Sequence, residues 1–292
     1  MADARPAAGQ LAKLAITVAI FGAAFPILKW GGPGATPVWF AATRAAICAL
    51  VAAAALAATH SLARPGRSDV APIVAIGVFQ IAGFFSLLQA ALQFVPAGRS
   101  AVLSYTTSLW LVPISALFLG EAVGVRRLLA VALGLAGIAV IANPWTLDWQ
   151  APGILAGHAL LLGAALSWAI AIAMLRVAKP ALSTLQLLPF AFLLATLLLL
   201  ALAVLIEPEG GVGAGVPTLA ALAYVGVLGP LATWAASEVS RQLPAVVSSL
   251  GFLAVPVVGL ALATLVLGEP LAPPLLAGSA LVIGGVAVAV RS

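Results

Sequence analysis

The sequence predicts an all-α polytopic membrane protein with ten transmembrane helices, arranged as two inverted five-helix repeats with both termini in the cytoplasm. Three observations support this fold class. The 292 residues are 64% hydrophobic and 7% charged, with a mean hydropathy of +1.22. Apolar runs of helix length alternate with helix breakers, and short motifs recur at a constant spacing. Because soluble domains are roughly a quarter charged, no water-soluble surface can be built from this composition.

The apolar runs divide the chain into ten candidate spans, and at about 20 residues per crossing these use most of its length. Glycine and proline clusters such as Gly31–Gly34, Arg64–Arg67 and Lys179-Pro180 separate the runs. The glycine-rich tract 210–215 is expected to be a flexible loop. The expected spans are 11–30, 37–59, 70–94, 98–118, 124–142, 152–175, 182–206, 216–238, 244–266 and 272–290.

Basic residues collect on one face of the predicted bundle. With connections numbered from the N-terminus, the other face receives only Lys29 and Arg99, and Arg44 lies inside span two. Lysine and arginine favour cytoplasmic loops, so both termini are expected in the cytoplasm. The residues on the cytoplasmic face are Arg5, Lys13, Arg64, Arg67, Arg126, Arg127, Arg176, Lys179, Arg241 and Arg291.

Three short motifs recur at a spacing of 148 residues. Leu267-Gly268-Glu269 repeats Leu119-Gly120-Glu121, Pro244-Ala245 repeats Pro96-Ala97, and Gly285 repeats Gly137. Duplication of half a protein leaves a common offset of this kind, whereas similar hydropathy alone is the competing explanation. We therefore expect repeats at 1–145 and 151–292 within one compact membrane domain. Five spans in each half force the second copy to be inverted, as in many secondary transporters.

The ordered set of motifs resembles the EamA-type transporters of the drug/metabolite transporter superfamily. The motifs are Val95-Pro96-Ala97, Leu119-Gly120-Glu121 and Gly137–Val140, with their partners Leu243-Pro244-Ala245, Leu267-Gly268-Glu269 and Gly285–Val288. The resemblance implies a bacterial-type inner-membrane exporter of small metabolites, with a central cavity lined by spans one, three, four, six, eight and nine. It is closest to the aromatic amino acid exporters, which carry cavity aromatic and polar groups where Phe79, Gln80, Tyr105 and Trp168 stand here.

Spans three and four contribute candidate substrate-binding residues with polar side chains. Gln80 and Phe84 lie one turn apart in span three, and Gln80 lies too deep to reach the membrane surface. In span four, Tyr105 and Thr107 stand within a run of hydroxyls. A polar side chain at bilayer depth is costly and so needs a partner, either substrate or another helix. The alternative for serine and threonine is a bond to their own helix.

Aromatic residues of the other cavity spans complete the candidate site. Phe21 in span one and Trp168 in span six align at an offset of 147 residues, and Trp234 lies in span eight. Large rings at equivalent depths could stack on a planar apolar substrate. Packing in the protein core or against lipid is the competing explanation.

Arg44 is a basic residue placed inside a span, about two turns below the predicted outer surface. It could attract a carboxylate together with Lys29 and Arg99. The alternatives are that it extends to the membrane surface or pairs with Asp148, Glu207 or Glu269.

Four prolines within spans one, four, eight and nine are candidate hinges: Pro26, Pro113, Pro230 and Pro256. A proline removes one helical hydrogen bond and its ring clashes with the preceding turn, so it bends a helix. Bends in these spans would let half-helices swing to open either side.

These residues predict a transporter that exports amino acids, chiefly aromatic or apolar ones, and related metabolites by alternating access. Glu121, Glu238 and Glu269 stand at span ends, which favours facilitated diffusion over proton coupling. Alternatives are a multidrug or organic-cation exporter and a non-transporting scaffold. An enzyme is not expected, because no serine–histidine, aspartate-pair or zinc motif occurs at depth. We expect a monomer in lipid, with no cofactor, metal or nucleic acid.

Overall fold

The computed structural model describes residues 8–118, 124–142, 153–242, 251–252 and 254–290, and every regular element in this part is helical. Short 3₁₀ turns occur at Gly32–Gly34 and Arg67–Asp69, and a π-helical stretch occurs at Ala75–Gly83. The α-helices are α1 Ala8–Gly31, α2 Pro37–Ala58, α3 Val70–Val74, α4 Phe84–Ala91, α5 Ala97–Ser104, α6 Thr107–Phe118, α7 Val125–Ala142, α8 Ile154–Val177, α9 Thr184–Ile206, α10 Val216–Gln242, α11 Ala254–Leu267 and α12 Pro273–Val290.

The helical segments are long and apolar enough for a multi-pass membrane protein. In the described part of the chain, seven helical segments can cross a bilayer by length and composition. Three further apolar helices are shorter. The all-helical, multi-pass prediction is therefore confirmed. The count of ten spans and the cytoplasmic termini stay predictions. Leu119-Gly120-Glu121 and Pro244-Ala245, two of the recurring motifs, lie outside the described residues.

The helices form a ring in which elements distant in the sequence alternate. Helix α1 packs on α10 and α11, and α2 packs on α9 and α10. The π-helical stretch lies between α8 and α9, while α8 also contacts α4, α5 and α6. Helix α5 packs against α11, and this contact closes the ring. Helix α7 packs against α12. Consequently the segments that carry the candidate site residues are held by partners far away in the sequence.

Two interruptions divide the predicted spans three and four. Span three is α3, the π-helical stretch and α4, whereas span four is divided at Tyr105-Thr106 between α5 and α6. At that break the amides of Tyr105 and Thr106 bond the carbonyls three residues earlier. The Thr106 hydroxyl also donates to the Leu103 carbonyl at 2.7 Å. The interruption thus lies at the hydroxyl run and not at Pro113, seven residues further on.

The Leu-Gly-Glu motif of the second half ends one helix and stabilises the start of another. Gly268 adopts a left-handed conformation with φ of 68°, which terminates α11. The Glu269 carboxylate then accepts hydrogen bonds from the Ala97 and Gly98 amides at the N-terminus of α5, with N···O distances of 2.6 and 2.9 Å. A carboxylate there satisfies unpaired amides and complements the helix dipole. The Pro-Ala motif of one half and the Leu-Gly-Glu motif of the other therefore form one contact.

Two further carboxylates bind backbone amides of distant segments. Glu207 accepts the Val38 and Trp39 amides at the start of α2. Asp69 accepts the Ala181 and Leu182 amides ahead of α9. Each of these contacts fixes a connection to a helix more than a hundred residues away in sequence.

The glycine-rich tract 210–215 is also tied to the rest of the protein. Val212 forms an antiparallel bridge with Ala35, and the Gly213 amide donates to the Gly34 carbonyl at 2.8 Å. The flexible loop expected from composition is thus bonded to the connection between α1 and α2.

Candidate functional site

Two predicted site residues from different helices meet directly. The rings of Phe84, on α4, and Trp168, on α8, lie edge to face with centroids 4.7 Å apart at an interplanar angle of 78°. Phe85 extends the cluster, because its ring lies 6.5 Å from that of Phe84 at 63°. Such pairs contribute about 0.5–1.5 kcal/mol beyond the area they bury. The cluster is therefore a stable aromatic wall.

The π-helical stretch places Phe79 and Gln80 beside this wall. A π-helix is wider than an α-helix, and such turns occur frequently at functional sites. Here the Phe79 carbonyl accepts the hydroxyl of Ser167 at 2.8 Å, which ties the stretch to α8 next to Trp168. Gly83 allows this approach, because a Cβ there would lie 2.2 Å from the Ser167 oxygen. The Gln80 side chain is partly exposed, and the described residues give its amide no hydrogen-bond partner.

Tyr105 lies at the break in span four. Its side chain is partly buried and packs against the core. The hydroxyl of Ser100 donates to the Pro96 carbonyl at 2.9 Å, at the start of its own helix. The hydroxyl of Thr107 donates across the break, to the Ser104 carbonyl at the end of α5, at 3.0 Å. Ser104 differs, since its buried hydroxyl oxygen has no partner among the described residues. The break therefore presents one aromatic side chain and one unsatisfied hydroxyl.

Arg44, on α2, lies at the other end of the aromatic wall. Its guanidinium carbon is 3.5 Å from the centre of the Phe85 ring, and the residue is only 8% exposed. Arginine at bilayer depth costs about 2.5–3.5 kcal/mol on insertion scales. A desolvated cation–π contact returns about 2 kcal/mol of this. The ring thus offsets much of the cost but accepts none of the guanidinium hydrogen bonds.

The other predicted site residues lie apart from this wall. The Lys13 ammonium lies 5.4 Å from the centre of the Trp234 ring. Phe21 is half-buried on α1. In the part of the chain that the structure describes, no ring contact joins Phe21 or Trp234 to Phe84 and Trp168.

The predicted hinge prolines differ in their surroundings. Pro26, Pro230 and Pro256 are buried in α1, α10 and α11, whereas Pro113 is exposed on α6. Pro26 has no amide hydrogen to give the Gly22 carbonyl, and α11 passes close to that carbonyl at Gly259.

Three site features were not predicted. The π-helical stretch, the Ser167 bond and the Arg44–Phe85 contact leave no periodic signal in the sequence. The glycine at 83 and the serine beside Trp168 are the sequence features that accompany the first two.

Among the described residues there is no group of three histidine, cysteine, aspartate or glutamate side chains that could hold a metal ion.

Aromatic and polar side chains that meet between distant helices of a multi-pass bundle are an arrangement expected of a membrane transporter. The sequence model of the EamA-like transporter family matches residues 11–143 and again residues 155–291. The chain therefore belongs to the EamA-like transporter family, within the drug/metabolite transporter superfamily, which confirms the resemblance.

The chain is also similar to two individual proteins. The chain is 25% identical over 274 residues to a Bacillus subtilis (strain 168) protein named "Uncharacterized transporter YvbV", covering 92% of this chain and 88% of the relative. A solved structure described only as "Crystal structure of protein" has a TM-score of 0.64 and 21% identity, covering 96% of both chains. That second likeness concerns the fold alone.

Proposed function

We propose that the protein exports aromatic and other apolar amino acids, and related small metabolites, across a bacterial-type inner membrane by alternating access. The observation that carries this proposal is the contact between Phe84 and Trp168, where the third and sixth spans meet. Planar rings there would stack on an apolar side chain of the substrate. Gln80, on the adjoining π-helical stretch, supplies polar groups that bind the polar part of the substrate.

Alternating access follows from the proposed inverted repeats, 1–145 and 151–292. Two observations support them: the family model matches the chain twice, and Glu269 of the second half binds the first half at Ala97. Spans from the two halves alternate around the ring, so the halves can move past each other. Pro26, Pro113, Pro230 and Pro256 are the proposed hinges.

Orientation and coupling complete the proposal. The asymmetry of basic residues favours cytoplasmic termini. Glu207 and Glu269 bind backbone amides, which favours a uniporter over a carboxylate-based proton relay. Amino acid flux that requires an imposed pH gradient in proteoliposomes would contradict the uniport mechanism.

The proposal is tested by flux of labelled phenylalanine, tryptophan and leucine into proteoliposomes of the purified protein. Trp168→Ala and Tyr105→Ala are expected to lower the rate or the apparent affinity about tenfold, because each removes a large ring. Trp30→Ala is the matched control, since that indole is 48% exposed. Flux that neither substitution changes would contradict the site. Transport of organic cations in place of amino acids would favour the multidrug alternative.

A further inference from the structure

The Arg44 guanidinium is a buried cation, and no acidic side chain of the described residues lies beside it. Its Nε atom is buried without a hydrogen-bond partner among the described residues. Among the described residues, the ionisable group that interacts with the Arg44 guanidinium is the Cys48 thiol. That thiol donates to the Val225 carbonyl, with sulfur and oxygen 3.6 Å apart, and a neutral thiol cannot balance a cation.

The acidic partners available to Arg44 in the sequence are engaged elsewhere. Glu207 binds amides at the start of α2, and Glu269 binds those at the start of α5. Asp148 lies outside the described residues. With an exposure of 8%, Arg44 also does not extend to the surface. The ion-pair and surface alternatives therefore fail for every partner that the structure describes.

The other basic residues near the predicted outer side are already partnered. The Lys29 ammonium donates to the Leu92 and Val95 carbonyls. Arg99, whose Nε also lacks a partner, is attracted electrostatically by Glu269. Of these three cations, Arg44 is thus the one that lacks both a bonded acceptor and an acidic neighbour in the described residues.

Arg44 and the aromatic wall form a continuous row. The guanidinium covers the Phe85 ring, which contacts Phe84, which in turn contacts Trp168. A molecule lying along this row would meet a fork of N–H donors at one end and apolar rings at the other. The fork matches the two oxygens of a carboxylate.

We infer that Arg44 binds the carboxylate of the transported solute, while the apolar part of that solute lies against Phe84 and Trp168. This inference rests on the proposed function and restricts its substrates to carboxylates with an apolar group. Organic amines without a carboxylate are excluded, because they would bring a second cation to an unpaired one.

The experiment compares two competitors of labelled phenylalanine flux in proteoliposomes. One, 3-phenylpropionate, keeps the carboxylate and lacks the amine; the other, phenethylamine, keeps the amine and lacks the carboxylate. We expect 3-phenylpropionate to compete at least about tenfold better, because bonds between charged partners are about twice as strong as neutral ones. Equal competition, or a preference for phenethylamine, would overturn the inference without any variant.

Variants of Arg44 then test whether this residue causes the preference for 3-phenylpropionate over phenethylamine. Arg44→Gln is expected to remove the preference and raise the KM for phenylalanine about tenfold, and Arg44→Lys to restore part of both. Arg64→Gln is the matched control, because it makes the same change at an exposed position. An Arg44→Gln protein with unchanged KM and preference refutes the assignment. If that variant does not fold, Arg44→Lys decides, because lysine keeps the charge but lacks the planar fork of donors, and an unchanged KM and preference in it refute the assignment.

Two further arms separate the inference from its alternatives. A lipid phosphate could supply the same anionic oxygens, so the competition is repeated with phosphatidylcholine alone and with added phosphatidylglycerol. An Arg44-dependent preference in both membranes supports the solute, whereas one abolished by phosphatidylglycerol assigns Arg44 to lipid. If the wild type transports no amino acid, the proposed function fails. Thermal stabilisation of detergent-purified wild type, and not of Arg44→Gln, by 3-phenylpropionate would still support the carboxylate site, and equal or absent stabilisation would refute it.

Discussion

Replacing Glu269 by glutamine tests the contact that joins the two recurring motifs. The carboxylate accepts the Ala97 amide at 2.6 Å and the Gly98 amide at 2.9 Å. Hydrogen bonds to a charged acceptor contribute about 1.5–3 kcal/mol each. A glutamine has one acceptor oxygen, so it retains one bond, loses the other and turns an NH₂ group towards an amide donor.

The expected destabilisation follows from these losses. One missing charge-assisted bond and the lost interaction with the helix dipole together cost about 2–4 kcal/mol. For a chain of this size that corresponds to a decrease of roughly 5–10 °C in the unfolding temperature. We expect Glu269→Gln to show this decrease, measured by thermal unfolding in detergent at a fixed heating rate.

The control is Glu209→Gln, which removes an exposed carboxylate near the end of another helix. That substitution is expected to change the unfolding temperature by less than about 2 °C, since surface charges contribute little. If the two variants unfold at the same temperature, the cap on α5 does not stabilise the protein and the explanation of the paired motifs is wrong.

Three other outcomes are expected. Gly285→Ala should lower the unfolding temperature, because its Cβ would lie 2.8 Å from a backbone oxygen of α7, whereas Gly284→Ala, with open space, should not; equal stability would contradict the close packing of α7 and α12. Ser167→Ala should destabilise by about 1 kcal/mol through loss of the bond to Phe79, measured by the same unfolding assay. Cys48 is fully buried, so maleimide should label it only after denaturation, and rapid labelling of the native protein would contradict its burial.

Hydropathy located the helices because each span is determined by a local property. A run of about 20 apolar residues must be a helix in lipid, since no water is available to bond its backbone. The predicted span 37–59 corresponds to α2, Pro37–Ala58, and the span 182–206 to α9, Thr184–Ile206. The break at Tyr105-Thr106 was not predicted, because it depends on which backbone carbonyl each hydroxyl donates its hydrogen bond to.

The candidate site could be predicted only in part. Phe84 and Trp168 were both named from the sequence, and the structure joins them. Their neighbour Phe85 and the buried cation Arg44 take part through packing between α2 and α4, which no local pattern reports. Phe21 and Trp234 align by offset or by span, yet alignment does not determine which ring a helix turns towards another.

The sequence by itself determined that this protein is a helical membrane transporter of the EamA-like family, because composition, span length and motif order are properties of the chain alone. The tertiary structure decided how those motifs are used. The Glu269 carboxylate accepts a hydrogen bond from an amide 172 residues earlier, and the Ser167 hydroxyl donates to a carbonyl of the π-helical stretch 88 residues earlier. Contacts at such separations depend on how the helices pack. For the same reason, only the packed bundle shows that Arg44 lies against an aromatic ring with no acid beside it in the described residues.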